Sequence, residues 1–190
     1  MPNAIKGIRN ESLATLSDAE LDLGHVAIDR YGRLMSLGTG SLATFTSTPT
    51  ITTGSAYSSG YLLGTKITLS SALVSPYSTI IHHVAIIDLD MQMKNIDVVF
   101  FNADPTATTF TDRAAFDIAD ADITKIPAGA IKTVNSHYSF NDNGISLPSD
   151  KTPIRMIGTT TSLYAALVVR NTVTYSSANG ITLVVTIERI

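Results

Sequence analysis

Apolar residues in this chain fall in short runs, and the clearest repeats every second position. In Ile181-Thr182-Leu183-Val184-Val185-Thr186-Ile187-Glu188 every odd position is apolar, while the even ones carry two Thr, one Val and one Glu. Successive side chains of a strand point to opposite faces. The run therefore predicts a strand that buries Ile181, Leu183, Val185 and Ile187 and turns Thr182, Thr186 and Glu188 the other way. Further strands are expected over residues 66–69, 80–89, 95–101, 131–138, 154–157 and 163–169. Turn chemistry separates them at Ser75-Pro76, Asp104-Pro105, Asn141-Asp142-Asn143-Gly144 and Asn179-Gly180.

Two of these runs are apolar on both faces. Strict alternation over residues 80–89 puts Ile80, Val84 and Ile86 on one side and Ile81, Ala85, Ile87 and Leu89 on the other. A two-layer sandwich has a single interior, so the second face needs cover from the arm or from another subunit. One helical turn is expected over residues 117–123, with Asp117 as its N-cap and Asp120 in the first turn.

The first 55 residues differ in texture. Residues 25–28 and 33–37 flank Asp29-Arg30-Tyr31-Gly32, which reads as a β-hairpin. Residues 38–59 are dominated by Ser, Thr and Gly with Pro49 as a break, an extended or linker-like stretch. The expected organisation is an N-terminal arm over 1–55, with its hairpin and linker, followed by a β-sandwich domain over 56–190. Seven or eight short strands with one helical insertion indicate an all-β, antiparallel, jelly-roll-like sandwich.

Composition adjusts this picture in three ways. At 190 residues and 20.2 kDa the chain fits one β domain plus an appendage, and 44% hydrophobic content is enough for a core. Only 15% of residues are charged, against the usual quarter, and roughly a quarter are Ser or Thr, which describes a surface that expects neighbours. A net charge of −3 argues against a nucleic-acid partner, since phosphate binding needs surplus Lys and Arg. Zero Cys removes disulfides and thiolate metal sites and fits assembly in a reducing compartment. Neither a signal peptide nor a membrane span is expected.

Apparent motifs fail on their context. Gly38-Thr39-Gly40-Ser41-Leu42-Ala43 has dinucleotide-site spacing but leads into Thr44-Phe45-Thr46-Ser47-Thr48-Pro49 rather than into a helix. Gly60-Tyr61-Leu62-Leu63-Gly64-Thr65-Lys66 is one residue short of a phosphate loop, and Lys66 opens a strand. His82 and His83 are adjacent on a strand, so their rings should point to opposite faces and not share an ion. His25 and His137 stand alone. Asp112, Asp117, Asp120 and Asp122, with Asp88, Asp90 and Asp97, lack the spaced ligands of a calcium loop and read as caps and turn residues. Tyr57, Tyr61, Tyr77, Tyr138, Tyr164 and Tyr175 could line a sugar or protein contact, although Tyr at strand ends more often caps a core. The expectation is no enzyme: no catalytic, metal or cofactor-binding residue, and no cofactor.

The run from Asn102 to Asp122, with Phe110-Thr111-Asp112-Arg113-Ala114-Ala115-Phe116-Asp117 at its centre, resembles a segment of small structural proteins of tailed bacteriophages. There, too, an apolar strand ending in a Phe-Asn pair leads into such a loop. The flanks are similar, in Gly64-Thr65-Lys66-Ile67-Thr68-Leu69 and in Leu163-Tyr164-Ala165-Ala166-Leu167-Val168-Val169-Arg170. The hairpin Ile28-Asp29-Arg30-Tyr31-Gly32-Arg33-Leu34 also resembles hairpins that precede domains in these proteins. The resemblance implies a virion component assembled in the host cytoplasm: a head decoration or cement protein. Its partners would be the major capsid protein or neighbouring virion proteins, and a trimer is the expected homo-oligomer, with no nucleic acid or membrane partner. An adhesion or receptor-binding module of a tail, fibre or baseplate is the alternative.

Overall fold

The alternating C-terminal run forms β11 (Ile181–Arg189), and the rest of the sheet is organised around it. Ile181, Leu183, Val185 and Ile187 are all fully buried, while the residues between them are half-exposed, as the pattern predicts. The computed structural model describes residues 26–28, 34–36, 41–74 and 77–190. The chain divides into two compact units, one ending at Thr39 and one running from Gly40 to Ile190.

In the first unit β1 (Val26–Ile28) pairs antiparallel with β2 (Leu34–Ser36), Ile28 opposite Leu34, as the hairpin pattern predicts. The expected turn at Asp29 to Gly32, His25 and the first 24 residues lie outside the described residues, as does the Ser75-Pro76 turn.

The second unit carries β3 (Ser41–Ser47), β4 (Ile67–Leu69), β5 (Ser78–Asp88), β6 (Ile96–Phe101), α1 (Asp120–Ile123), β7 (Ile131–Ser139), β8 (Gly144–Pro148), β9 (Ile154–Ile157), β10 (Leu163–Val169) and β11. The strands join antiparallel in the order β3-β11-β5-β8-β7-β6-β10-β4, with β9 also on β5. The sheet curls until it is nearly closed, a barrel- or sandwich-like shape. All but two of the neighbours along that order are distant in sequence, so the topology is one of long crossovers rather than a meander.

Three expectations change. Residues 41–47 are not linker but strand β3, paired with β11 along its whole length, and Ile51 and Tyr57 beyond it are buried. The β unit therefore begins at Gly40 rather than at residue 56. The helix is a single turn from Asp120, and Ala119 occupies the N-cap without a side-chain cap, so Asp117 does not cap it. The third change concerns β5. Thr186 lies opposite His83 and Ile187 opposite Ile81, which leaves His82 as an extra residue, a β-bulge. The bulge resets the alternation, so Ile81 joins Val84 and Ile86 in the core and Ile80 goes outward.

One apolar-on-both-faces strand, β6, finds its second cover within the chain. Its inner side chains, Ile96, Val98 and Phe100, join the main core with Leu163, Leu167, Leu183 and Val185. On its other face Val99 and Phe101 pack with Leu62, Ala166 and Val168 under Phe110, Phe116 and Ile118 of the 102–119 loop. Phe101 meets Phe110 edge-on and Phe110 meets Phe116 at a tilt, at centroid separations of 6.2 and 5.6 Å. That loop is therefore a lid for β6 and β10, not an appendage.

Candidate functional site

Four aspartates of the β unit, Asp88, Asp90, Asp112 and Asp122, accept hydrogen bonds from loop backbone amides. Asp122 is buried and accepts from the Ala107 and Thr108 amides at 2.9 and 2.7 Å, from the Thr108 hydroxyl at 2.7 Å and from Lys125 Nζ at 2.7 Å. Burial alone would raise its pKa, but Lys125 and Thr108 outweigh burial and hold it at about 2. Asp112 accepts from the Thr52 amide, the Thr52 and Tyr57 hydroxyls and the Gly64 amide at 2.6–2.9 Å. Gly64 sits at φ 74°, where a Cβ would lie 2.5 Å from the Pro49 side chain, so the turn that presents this amide requires glycine. Asp90 takes the Ser176 and Ser177 amides at 2.6 and 2.9 Å, and Asp88 takes those of Asp90 and Met93. Asp97 pairs with Arg170 and accepts from Thr133. Asp88, Asp90, Asp112 and Asp122 thus tie loops together, while Asp97 links β6 to β7 and to Arg170 at the end of β10.

The tyrosines divide. Tyr57 and Tyr175 are buried as an edge-to-face pair 6.0 Å apart, inside the core rather than lining a contact surface. Tyr164 lies under Lys66 Nζ, 5.4 Å from the ring centre. Only Tyr77 and Tyr138 are exposed among those the structure describes. His137 bridges Ser146 Oγ at 2.7 Å and Asn95 Oδ1 at 3.1 Å, and burial holds its pKa below the ordinary value.

What the fold leaves open is the outer face of the strands β7, β8, β5, β11 and β3. Cross-strand pairing aligns Tyr138, Ile145, Ile87 and Thr182 in one row, extended by the Thr48–Thr182 hydroxyl bond at 2.8 Å. The next row carries Ala85, Val184 and Thr46, with Leu147 lining the same groove, and a third carries His83, Thr186 and Thr44. Tyr138 is 56% exposed, Phe140 at the hairpin tip 58% and Leu42 on β3 69%. The face is thus apolar toward β7 and β8 and a threonine ladder toward β3, where no described strand pairs with the outer edge.

On this same face the bulge brings both histidines together. His82 Nε2 bonds Glu188 Oε2 at 2.8 Å, His83 lies opposite Thr186, and the two rings are 6.3 Å apart. The expectation that they point to opposite faces fails, because a bulge places two successive residues against one partner residue. They edge a groove of about 480 Å³ whose walls also include Ala85, Val184, Lys132, Asp150 and Lys151. Among the described residues no three His, Asp or Glu side chains converge in a metal-binding group, and no helix is long and apolar enough to cross a membrane. Residues 41–43 of the glycine-spaced segment lie in β3, and Lys66 leads into β4, so neither position opens a helix toward a phosphate.

No family model, curated protein or solved structure matches the chain.

Proposed function

We propose that this protein is a non-enzymatic structural component of a tailed-phage virion, a head decoration or cement protein that bridges capsomers as a homotrimer. The observation that carries the reading is the outer face of β7, β8, β5, β11 and β3. Large apolar side chains stand there in register beside a hydroxyl ladder, while Asp88, Asp90, Asp112 and Asp122 accept from loop backbone. Such a face works by burial. Each fully covered Tyr, Phe or Ile contributes on the order of 1.5–3 kcal/mol before association entropy is subtracted. Opening a shell must then also break those contacts. The stretch from Leu34 to Thr65 contains no Asp, Glu, Lys or Arg, so β3 meets a neighbour without charge repulsion. The arm ahead of it reaches adjacent copies in this account.

A receptor-binding module of a tail, fibre or baseplate is the second reading, favoured by the concave groove beside the two histidines. Co-sedimentation with purified particles separates these readings. Under the decoration reading the protein pellets with heads, and Tyr138→Ser with Phe140→Ser weakens this without unfolding the sheet. Pelleting with tails alone favours the second reading, and pelleting with neither rejects both.

A further inference from the structure

The two end strands of the sheet are guarded differently. At one end β4 is three residues long and follows directly on Lys66, so shortness and charge protect that edge. At the other end β3 runs for seven residues without a Pro or a charged side chain. Its pairing with β11 continues from Ser41 to Ser47 without a register shift. A regular, uncharged edge strand is a template for another strand, and folded proteins ordinarily blunt such edges with Lys, Pro or a bulge. β3 carries none of the three.

Which peptide groups of β3 face outward follows from β11. Leu89 N–H donates to Gly180 O at 2.8 Å, and Ile190 N–H donates to Ser78 O at 3.3 Å. The even-numbered residues from Gly180 to Ile190 therefore turn their peptide groups toward β5. The odd-numbered ones turn theirs toward β3, where Leu183, Val185, Ile187 and Arg189 lie opposite Ser47, Phe45, Ala43 and Ser41. Between these, Leu42, Thr44 and Thr46 direct N–H and C=O away from β11, and no strand among the described residues meets them there. All three residues are exposed.

We propose that β3 pairs antiparallel with β3 of a second copy of this chain, about a twofold axis at Thr44. That axis sets Thr44 opposite its own copy, and Leu42 and Thr46 opposite each other, so every outward residue is bonded. An axis at Ala43 or Phe45 instead leaves an outward residue opposite a position beyond the strand. The side chains suit the same register: Ala43 falls beside Phe45 of the second copy, small beside large, and Leu42 falls beside Thr46. No residue from Leu34 to Thr65 is charged, so no like charges meet across the axis. For the same reason β3 offers an acidic or basic peptide no counter-charge, which favours a second copy as the occupant. Antiparallel self-pairing cannot close a threefold ring, so on a shell it links one trimer to the next. The contact itself stands whether or not the chain is a virion protein.

Amide hydrogen exchange of the full-length protein, read by NMR, tests the pairing. The Ala43 and Phe45 amides bond β11 and should exchange slowly at every concentration. The Leu42, Thr44 and Thr46 amides should slow at least tenfold between micromolar and millimolar protein. Fast exchange of these three at millimolar concentration would overturn the proposal. So would exchange equally slow at every dilution, which would mean that the chain covers this edge itself. Thr44→Lys and Thr44→Glu each lose one hydroxyl contact to Thr186 at 3.3 Å, and slow Ala43 and Phe45 amides would show the sheet intact. Each variant alone should abolish the slowing by setting like charges on the axis, and an equimolar mixture of the two should restore it. The chain has no Cys, so Thr44→Cys and Leu42→Cys each give a single thiol. Like positions lie about 5.5 Å apart at 44 and about 14 Å apart at 42. A bis-maleimide shorter than the second distance should therefore link Thr44→Cys copies and leave Leu42→Cys unlinked. A mixture no better than its components, or equal linking at 42 and 44, would also overturn the proposal.

Discussion

Val184 and Val185 are neighbours on β11 that face opposite environments, and one substitution made at both reads the architecture directly. Val185 is fully buried, opposite Val84 on one side and Phe45 on the other. Val184 lies on the outer face between Ala85 and Thr46. Threonine is nearly isosteric with valine and equally suited to a strand, so size and backbone propensity cancel between the two sites. At position 185 the new hydroxyl enters an apolar core without a partner, which costs about 1–3 kcal/mol. At position 184 it joins Thr46, Thr182 and Thr186, and the change should stay within about 0.5 kcal/mol. Urea unfolding followed by circular dichroism measures both. With a slope of about 2 kcal/mol/M, Val185→Thr should lower the midpoint by about 1 M, and Val184→Thr should leave it unmoved. Leu183→Ala on the buried face should cost roughly 2–5 kcal/mol. Equal effects at 184 and 185, or a Leu183→Ala change within about 0.5 kcal/mol, would refute the register of β11.

Other outcomes follow from the loops and the arm. The Asp122 carboxyl, held at about 2 against an ordinary value near 3.9, contributes stability that is present above about pH 4 and lost as pH falls toward 2. Pepsin cleavage within residues 102–119 should therefore rise over that interval, whereas Asp122→Asn should be cleaved at pH 4 and show no further acid step. An unchanged profile in the variant would count against the lid. Tyr57→Phe removes a hydroxyl that donates to Asp112 and accepts from the Thr52 amide, and should destabilise by about 1–3 kcal/mol in the same urea assay. Deleting residues 1–39 should leave the unit from Gly40 folded by circular dichroism yet weaken attachment to particles; undiminished attachment would remove the arm from the account. Light scattering at micromolar concentration should give a trimer, and a clean monomer would reject the homo-oligomer.

Local pattern carried the elements with dense apolar runs, β11 and β10. β7 was legible as a strand but not in its faces, since Ile131 is exposed and Lys132 buried. β3 was not, since Leu42, Thr44 and Thr46 point outward and Ala43, Phe45 and Ser47 inward, an alternation too low in contrast to stand out from a Ser/Thr-rich linker. β8 hid behind a turn signal at Asn141 to Gly144 and a terminal Pro148. The placement of His82 and His83 was out of reach for a different reason. A bulge is a property of two paired strands, and the partner of His82 lies over 100 residues away at Thr186 and Ile187. The groove follows from the same non-local fact, because it exists only where β8 and β9 part from β5. The loop aspartates were legible as turn residues in kind but not in partner: Asp122 organises Thr108, and Asp117 does not cap α1.

The central claim is that the chain works as a surface bound to a larger shell, and cryo-electron microscopy of particles from the source tests it most directly. The account predicts density for the β unit on the head, at threefold positions, with the face bearing Tyr138, Phe140 and Ile145 against neighbouring subunits. Density confined to the tail tip, or particles that lack this chain altogether, would contradict it.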